Sequence, residues 1–408
     1  MAHYGWFGHL HSPKPVIERH YNCWSKITPH FNVSVVLVTG ATGYVALHCV
    51  QQLLTAGYTV RGTVRDKSNK RKVEPLRRLA FPSERLELVE ADLTTPEDWP
   101  RAVQGCTFIL HVASPWPIVA DESTIRTAVE GTMNVLKAAA STPSVRKIVL
   151  TSSCSAINDG YPNDSQVFDE TCWTDLENPL VENYARSKTL AEKAAWDFWN
   201  SLDHGTRFSL TVLNPTFIIG PVLSDCENGS CTVVGRMMDF RTYLASPKVS
   251  LGVVDVRDVA RAHVEALRTS ASDGERILIS AQSIWFKDMM NWLRKEFKNF
   301  GYKITPVEAP NWVLKLYAAL KIDDQVQAVI HRIGPELRFD NSKSKKILGL
   351  EYLEPRVSLL QMMHSMIAHG MVRTTPAYAK WKIREEKSQQ DAAVQNAQIR
   401  ALPTATWL

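Results

Sequence analysis

From residue 33 onward, short apolar runs alternate with longer segments whose apolar residues recur at helical spacing. Unbroken apolar runs are typical of strands buried on both faces of a parallel sheet, with helices as the crossovers between them. The runs predict strands over 33–39, 58–64, 86–90, 107–112, 146–152 and 208–214. Crossover helices are predicted over 45–56, 124–140 and 182–201. The pattern therefore predicts an α/β fold built on a doubly wound parallel sheet of the Rossmann type.

The rest of the chain divides into further parts. Residues 1–32 hold five histidines and several prolines but lack the basic start and apolar centre of a secretory signal, so we predict a disordered extension. We expect the Rossmann domain to span 33–220, with segments returning near 250–280. A smaller, mostly helical substrate-binding region is predicted over 221–375. The polar tail over 376–408 is predicted to be an exposed helix or disordered.

Composition and charge narrow the functional classes only slightly. The 408 residues are 45% hydrophobic and 22% charged, with a net charge of +5, which is ordinary for a globular protein. No run approaches the roughly 18 apolar residues that span a bilayer, so no membrane span is predicted. Basic residues are scattered except over 65–78, which makes a nucleic-acid partner unexpected and favours a local anion site. Seven cysteines without paired spacing predict no metal site and a reduced, cytoplasmic setting.

The first predicted strand runs into a glycine-rich turn. The segment VVLVTGATGYVA places Gly40, Gly43 and Ala46 between this strand and the first helix. Gly40 allows the tight turn, Gly43 lets the backbone approach a pyrophosphate, and Ala46 lets the helix pack closely on the sheet. The helix N-terminus then faces the phosphates. The residues that we expect to contact a dinucleotide here are Thr39, Gly40, Gly43, Tyr44 and Val45.

The end of the second predicted strand bears on the choice between NAD and NADP. The sequence there reads TVRDKSNKRK, with Arg65 at the strand end. An arginine in this place can bind the 2′-phosphate of NADP through two parallel hydrogen bonds. Of the cations that follow it, Lys70, Arg71 and Lys72, we assign Lys72 to the cofactor. Asp66 lies at the spacing at which an acidic residue binds the ribose hydroxyls of NAD, so NAD remains the alternative to the favoured NADP(H).

Two serines and a tyrosine–lysine pair form the candidate catalytic set. Ser152 and Ser153 end the fifth predicted strand, at the edge where parallel sheets bind ligands. Tyr184 and Lys188 are four residues apart on a predicted helix and so share a face. The tyrosine can donate a proton to a carbonyl oxygen as a hydride arrives, and we expect the lysine to lower the pKa of its phenol. We assign Ser153 to polarise the substrate oxygen, while the adjacent Ser152 leaves that assignment open by one place.

The same tyrosine–lysine spacing occurs twice more, at Tyr317 with Lys321 and at Tyr378 with Lys382. Both pairs come after the predicted sheet is complete, whereas Tyr184 follows the strand-end serines and precedes another strand. A spacing of this kind has meaning only in its structural context. We therefore expect the two later pairs to be structural.

Taken together, ten stretches of the chain resemble an extended short-chain dehydrogenase/reductase of the NAD-dependent epimerase/dehydratase type. The branch it resembles contains the dihydroflavonol reductases and cinnamoyl-CoA reductases, with the 3β-hydroxysteroid dehydrogenases close to it. The stretches are VTGATGYVA, GYTVRGTVRD, ADL, ILHVASP, TSSCSAIN, DETCWTD, YARSK, LNPTFIIGP, DVRDVARAHVEAL and LRFDNSKSKKILGL. They cover roughly residues 33–355. The motif rich in Asn, Trp and Cys around the tyrosine of cinnamoyl-CoA reductases is absent.

The resemblance implies a reductase that binds NADPH across the carboxyl ends of its strands. The positions that it assigns to the cofactor are Asp92, Leu93, Val112, Ala113, Tyr184, Lys188 and Pro215. It implies Ser153, Tyr184 and Lys188 as the catalytic set. Asn158 matches a substrate-contacting asparagine of the dihydroflavonol reductases, although an asparagine there can equally cap a loop.

These expectations combine into one predicted function: an NADP(H)-dependent oxidoreductase that interconverts a carbonyl and a secondary alcohol on a hydrophobic small molecule. One alternative is an NAD-dependent 3β-hydroxysteroid dehydrogenase or sugar-nucleotide epimerase or dehydratase. Another is a non-catalytic NADP-binding sensor, although a sensor has no chemical reason to keep all three catalytic residues. In many relatives the helices after the fourth and fifth strands form a dimer interface, so a homodimer is one expected form.

Overall fold

The structure is a computed structural model of the 408-residue chain. It describes residues 34–80, 84–115, 120–161, 166–225, 228–319, 332–334 and 336–401. The predicted extension over 1–32 and the end of the predicted tail, 402–408, lie outside the described residues. Within those described ranges, no helix combines the length and the apolar character needed to cross a bilayer.

Strands and helices alternate along the first two thirds of the chain. The strands of the described part are β1 (Val35–Val38), β2 (Thr59–Val64), β3 (Leu86–Glu90), β4 (Phe108–His111), β5 (Lys147–Thr151), β6 (Val167–Phe168), β7 (Ser209–Pro215), β8 (Phe217–Ile219), β9 (Ser250–Asp255), β10 (Arg276–Ile279), β11 (Gln282–Trp285) and β12 (Arg338–Phe339). The helices are α1 (Tyr44–Thr55), α2 (Lys70–Ala80), α3 (Asp98–Val103), α4 (Glu122–Ala140), α5 (Asn183–Ser201), α6 (Gly229–Met237), α7 (Val256–Arg268), α8 (Phe286–Phe297), α9 (Asn311–Ala319), α10 (Ser342–Leu348), α11 (Pro355–Ala368) and α12 (Pro376–Ala401).

Seven strands form one parallel sheet in the order β3-β2-β1-β4-β5-β7-β10. The chain winds outward from β1 in both directions, so Val36 pairs with Val60 of β2 on one side and with Phe108 of β4 on the other. In sheets of this kind, ligands bind beside the carboxyl ends of the strands where the order reverses. The predicted doubly wound α/β fold is confirmed, and the six predicted strands are joined by β10 at one edge.

Helices cover both faces of this sheet with their apolar sides. On one face α1 and α7 pack together, and Leu47, Val50 and Val259 are fully buried in the same core. On the other face α3, α4 and α5 bury Trp99, Val135 and other apolar side chains against the strands. The three predicted crossover helices correspond to α1, α4 and α5, with ends within two residues of the prediction. The sheet is thus buried on both sides, as its apolar strand sequences require.

A second apolar core lies in the later part of the chain. It joins α6, α8 and α11 to a three-stranded sheet of order β11-β9-β8, and its centre includes Met289, Leu293, Met362 and Met366. Two-residue strands β6 and β12 form a further parallel pair. The predicted, mostly helical character of this region is confirmed, while the strands of the small sheet were not predicted, because runs of three to six residues are too short to stand out as separate apolar runs.

The polar tail begins as a docked helix. Tyr378 in the first turn of α12 is only 4% exposed, and its ring packs against Phe300, with ring centroids 5.4 Å apart. Trp381 lies 4.9 Å from the same phenylalanine ring, again between centroids. Of the two predicted forms of the tail, an exposed helix or disorder, the structure has the helix, anchored by aromatic residues at its start.

Candidate active site

The glycine-rich turn joins β1 to α1 at the carboxyl edge of the sheet. Gly40 has φ +61°, and a Cβ atom there would lie 3.0 Å from the Cβ of Ala113. Gly43 donates its backbone N–H to the Gly40 carbonyl at 2.9 Å and is the N-cap of α1. No side chain caps this helix N-terminus, so its first backbone N–H groups remain for another acceptor. A phosphate is the acceptor that such a terminus attracts.

Thr39 ties this turn to the end of β4. Its Oγ1 accepts the backbone N–H groups of Val112 and Ala113 at 3.0 and 2.9 Å. The same hydroxyl lies 2.9 Å from Nδ1 of His111. Because both lone pairs of the oxygen are engaged, the hydroxyl donates its hydrogen to Nδ1, and the neutral imidazole carries its own hydrogen on Nε2. The assigned residues Thr39, Val112 and Ala113 therefore lie together beside Gly40.

The side chains of Tyr44 and Val45 point away from the turn into the protein. The Tyr44 hydroxyl is buried and donates to the carbonyl oxygen of Gly220 at 2.6 Å. Val45 is half-buried and packs against both apolar cores. If these two residues contact the dinucleotide, as we expect from the sequence, they do so through their backbone N–H groups.

The end of β2 separates the two residues that bear on cofactor choice. Arg65 is exposed and forms no hydrogen bond or ion pair within the described part of the chain. The Asp66 carboxylate instead accepts both the N–H and the hydroxyl of Ser68, at 2.7 and 2.6 Å, and these bonds lower its pKa. Arg71 is paired with Asp225. Arg65 is thus open to a ligand, whereas Asp66 is engaged in its own turn.

Lys72 and the residues after β3 complete this end of the site. Lys72 is half-buried in the first turn of α2, where its N–H donates to Asn69 at 3.2 Å. The Asp92 carboxylate accepts the N–H and hydroxyl of Thr94 at 2.9 and 2.6 Å, which lowers its pKa, and the Arg65 charge adds to that lowering. Leu93 packs closely on α4: a Cβ atom added at Gly131 of that helix would lie 2.8 Å from the Cβ of Leu93. The assigned residues Arg65, Asp92 and Leu93 therefore share one edge of the sheet.

The two serines at the end of β5 have different partners. The Ser152 hydroxyl donates to Oε2 of Glu192 at 2.5 Å in the buried interior. The Ser153 hydroxyl accepts the N–H of Ser155 at 3.1 Å and lies close enough to Tyr184 to lower the pKa of its phenol. The sequence did not decide which of the two serines polarises the substrate oxygen, and their partners favour Ser153.

Tyr184 and Lys188 lie on successive turns of α5, and the lysine Nζ is 6.0 Å from the centroid of the tyrosine ring. Burial lowers the pKa of Lys188 to about 8, against an opposing contribution from Glu192. Burial also raises the pKa of Tyr184 to about 12, although the influence of the Ser153 side chain opposes this. In the protein chain alone, the tyrosine pKa is therefore raised and not lowered as expected, because burial is the largest influence on it. The phenol is protonated at neutral pH, as a proton donor must be.

Three buried polar atoms around these residues have no hydrogen-bond partner in the described part of the chain. They are Oδ1 of Asn158, Oδ1 of Asn214 and Nε2 of His111. Asn158 follows the short 3-10 helix Cys154–Ala156, and Asn214 immediately precedes the assigned Pro215 at the end of β7. Four more buried side-chain atoms of the described residues lack a partner elsewhere, so it is the grouping of these three near the candidate catalytic residues that suits ligand atoms.

Three residues of the site were missed by sequence reasoning. His111 is kept uncharged because burial, aided by the Lys188 charge, lowers its pKa to about 3. Glu192 lies one helical turn beyond Lys188, a spacing that could have revealed it. Arg332 pairs with Asp159 at 3.2 Å, and its charge also acts on Tyr184. No local signal could have revealed Arg332, because its partners are distant in sequence.

The later tyrosine–lysine pairs do not take part in this arrangement. The Tyr378 hydroxyl lies 2.7 Å from Nδ1 of His364, and Lys382 approaches Glu386 of the same helix at 3.8 Å. This pair is structural, as expected. Lys321, the partner of Tyr317, lies outside the described residues.

Comparisons with known proteins agree with this geometry. Residues 36–280 match the NAD dependent epimerase/dehydratase family. The chain is 34% identical over 348 residues to cinnamoyl-CoA reductase CAD2 of Medicago truncatula, covering 82% of this chain and 95% of that relative. It is 39% identical over 273 residues to dihydroflavonol 4-reductase of Zea mays, covering 65% and 75% of the two chains. These matches confirm the resemblance drawn from the motifs.

Solved structures give the same result at the level of the fold. Yeast methylglyoxal/isovaleraldehyde reductase Gre2, in complex with NADPH, superimposes with a TM-score of 0.68 and is 28% identical, covering 83% of this chain and all of that one. Vestitone reductase from alfalfa superimposes with a TM-score of 0.64 and is 26% identical, covering 82% and 99%. The described fold is thus shared by reductases with different substrates.

Proposed function

Because the chain belongs to the NAD-dependent epimerase/dehydratase family, we propose that it is an NADP(H)-dependent oxidoreductase that interconverts a carbonyl group and a secondary alcohol on a hydrophobic small molecule. The observation that carries the proposal is the placement of three side chains at one sheet edge. Ser153 lies close enough to Tyr184 to lower the pKa of its phenol, and Lys188 lies one helical turn beyond Tyr184 on α5. The glycine-rich turn that fits a dinucleotide lies at the same edge.

The residues of the chain fit the cofactor. The uncapped N-terminus of α1 offers the backbone N–H groups of Tyr44 and Val45 to the pyrophosphate. The partnerless Nε2–H of His111 and Oδ1 of Asn214 offer a donor and an acceptor close to Lys188 and Ser153. These atoms need ligand partners to avoid the penalty of about 1–3 kcal/mol for a buried group without a hydrogen bond.

The choice of NADP over NAD rests on Arg65 and Asp66. The Arg65 guanidinium is open to a 2′-phosphate, and Lys72 in the first turn of α2 is the second cation assigned to the cofactor. The Asp66 carboxylate, which an NAD enzyme would use to bind the ribose hydroxyls, has its Oδ1 engaged by two bonds from Ser68. NADPH in the complex of the yeast relative supports the same choice.

In the reduction direction, bound NADPH supplies the hydride. The raised pKa of Tyr184 keeps its phenol protonated at neutral pH, so the phenol can donate its proton to the carbonyl oxygen. Ser153 donates a hydrogen bond to the same oxygen as negative charge develops there. The Lys188 ammonium stabilises the phenolate left on Tyr184 and holds it ready for the next proton.

The substrate class follows from the relatives and from Asn158. The relatives are named for cinnamoyl-CoA, a dihydroflavonol and the small aldehydes methylglyoxal and isovaleraldehyde, so a carbonyl group is the common feature. The buried Oδ1 of Asn158, without a partner in the described residues, is suited to accept a hydrogen bond from a hydroxyl of the substrate. A polyhydroxylated aromatic ketone fits this acceptor better than a simple aldehyde.

Two further expectations stay predictions. Helices α4 and α5 lie side by side on one face of the sheet, where a second copy of the chain would form the expected homodimer. A cytoplasmic location is supported by Cys49, Cys106, Cys154 and Cys172, none of which is bridged.

The test is a titration of the purified protein with NADPH and with NADH, read by energy transfer from tryptophan to the reduced nicotinamide. Selective binding of NADPH, followed by its oxidation with members of a ketone and aldehyde panel, is the expected result. Selective binding without turnover would favour the non-catalytic sensor. Selective NADH binding would favour the steroid dehydrogenase or sugar-nucleotide alternatives, and binding of neither would remove the cofactor from the proposal.

A further inference from the structure

Glu192 lies behind the catalytic residues on helix α5. Tyr184, Lys188 and Glu192 follow each other at intervals of four residues, so their side chains share one face of the helix. Glu192 is only 1% exposed, and an isolated carboxylate in such a place would take up a proton rather than stay charged. Both of its oxygens instead accept hydrogen bonds from named side chains.

The first carboxylate oxygen holds the ends of two strands. Oε2 accepts the hydroxyl of Ser152 at 2.5 Å and the side-chain N–H of Asn214 at 2.8 Å. Nδ2 of Asn214 also donates to the backbone carbonyl of Ser153 at 3.1 Å. Through these bonds the carboxylate on α5 fixes the backbone that carries the Ser153 hydroxyl relative to the helix that carries Tyr184.

The second oxygen receives a buried counter-ion. Nε of Arg276, on the edge strand β10, donates to Oε1 of Glu192 at 2.5 Å. Nη1 of the same guanidinium donates to the carbonyl oxygens of Glu170 and Cys172 at 2.7 and 2.9 Å. The guanidinium carbon lies 3.6 Å from the centroid of the Trp173 ring. The DETCWTD segment, to which no catalytic residue was assigned, is thereby bound to the carboxylate behind the site.

We propose that Glu192 is a positioning residue of the reaction: its carboxylate holds the Ser153 backbone and the Tyr184–Lys188 face of α5 in register, with Arg276 as its counter-ion. This inference rests on the proposed function. A buried ion pair adds little net stability, since desolvation opposes the attraction, and two apolar side chains would pack this helix on the sheet as well. Apolar side chains would not orient hydrogen-bond donors, and orientation is what catalysis requires.

The same carboxylate acts on Lys188. The Glu192 charge opposes the lowering of the Lys188 pKa by burial. The other titratable groups near the lysine are Tyr184 on its own helix and the uncharged His111 at the end of β4, while Arg276 faces Glu192 from β10. Glu192 therefore helps to keep Lys188 protonated near neutral pH.

The first test compares Glu192→Gln with the wild type. The glutamine keeps the size of the side chain but removes the charge and one acceptor. We expect NADPH affinity within about threefold of wild type and a kcat lower by roughly a hundredfold with a small change in KM, because misplacement of the reacting groups affects mainly the chemical step. The alkaline limb of the kcat–pH profile should move to lower pH as Lys188 loses its stabilising charge.

Glu192→Asp and Lys147→Met are the matched variants. The aspartate keeps the charge on a side chain one methylene shorter, so we expect a loss of kcat by about tenfold and an unchanged pH profile. Lys147 is buried at the opposite end of β5 and forms an ion pair with the exposed Asp273 at 2.5 Å. Lys147→Met should lower stability but leave kcat and the pH profile of wild type, which separates positioning from a general loosening of the sheet.

Crystal structures of cofactor-free wild type and Glu192→Gln give a readout that needs no turnover. We expect the Ser153 carbonyl and the Asn214 amide to shift in the variant. An unmoved Ser153 together with a kcat within threefold of wild type would show the proposal to be wrong. Should Glu192→Gln not fold, a wild-type kcat for Glu192→Asp would do the same. If wild type reduces no carbonyl compound, the proposed function fails, whereas the crystallographic comparison still decides the role of Glu192.

Discussion

The two edges of the main sheet differ in whether their buried polar groups have hydrogen-bond partners. At the carboxyl edge, His111, Asn158 and Asn214 each have a buried side-chain atom without a partner in the described part of the chain. At the amino edge, the buried Nζ of Lys147 contacts the Thr269 carbonyl, the Ser272 hydroxyl and the Asp273 carboxylate, all within 2.9 Å. Both edges belong to the same strands, so burial alone does not explain the difference.

At the amino edge the chain supplies the hydrogen-bond partners itself, whereas at the carboxyl edge some partners are left for a ligand. A buried polar atom without a partner is destabilising, and evolution retains it where a ligand supplies the missing bond. Arg61 and Arg65 on and after β2 show the same contrast. Arg61 donates to Glu87 at 2.7 Å and to the carbonyls of Ala102 and Gln104 at 3.0 and 2.6 Å, whereas Arg65 is open. Predictions about the two edges can therefore be separated into effects on function and effects on stability.

The largest expected effect is that of Tyr184→Phe at the carboxyl edge. Removing the phenolic hydroxyl removes the proton donor, so kcat should fall by about 10³-fold while NADPH affinity stays near that of wild type. Steady-state kinetics and the fluorescence titration measure the two quantities. Tyr378→Phe, in the later tyrosine–lysine pair, is the control and should keep wild-type kcat. An active Tyr184→Phe variant would remove the tyrosine from the proposed chemistry.

Arg65→Ala tests the cofactor end of the same edge. Loss of a charge-assisted bond to the 2′-phosphate should weaken NADPH binding by roughly 10–100-fold and leave NADH binding unchanged. Thermal stability should hardly change, because the side chain is exposed and makes no bond within the described residues.

Arg61→Ala, within strand β2, is the matched control for Arg65→Ala, immediately after that strand. It should lower stability, because Arg61 holds Glu87 and two backbone carbonyls, and should keep the preference for NADPH. Equal losses of NADPH and NADH affinity in Arg65→Ala would contradict the assigned role of that arginine.

At the amino edge, Lys147→Met should lower the free energy of unfolding by about 1–2 kcal/mol, from the lost bonds to Thr269 and Ser272. The effect is not larger because Asp273 is 37% exposed and can return to water. Chemical denaturation of the cofactor-free protein measures it. A fall in kcat without a fall in stability would mean that the two edges are not separable in this way.

The parts of the molecule that sequence predicted are those with local signals. Buried parallel strands read as apolar runs, so the six predicted strands have ends within two residues of those observed. Tyr184 and Lys188 could be paired because helical spacing is local. Arg276 with Glu192, and Arg332 with Asp159, are separated by more than 80 residues, so their pairing depends on the tertiary fold and leaves no periodic signal. Strand β10 was not predicted as a strand; the sequence predicted only that a segment near 250–280 returns to the Rossmann domain.

His111→Leu gives the smallest effect but the sharpest test of the comparison. The leucine removes the partnerless Nε2–H but takes the acceptor from the Thr39 hydroxyl, so the two changes offset each other and the cofactor-free protein should stay within about 1 kcal/mol of wild type at pH 7.5. Burial lowers the pKa of His111 to about 3, below its unfolded value of about 6.5. Wild type therefore loses stability as pH falls below about 6.5, and the leucine variant should become the more stable protein there.

The matched control for this last prediction is His263→Leu. His263 is also fully buried with a pKa lowered to about 4, but its two nitrogens lie 2.6 Å from the Thr151 hydroxyl and 2.7 Å from the Val259 carbonyl. Replacing it removes two satisfied bonds and should destabilise the protein at pH 7.5, where both histidines are neutral. Denaturation curves at pH 7.5 and pH 5.5 for both variants separate the contribution of the missing bond from that of protonation. If His111→Leu destabilises as much as His263→Leu at pH 7.5, the partnerless nitrogen is not a liability, and the contrast between the two edges loses its physical basis.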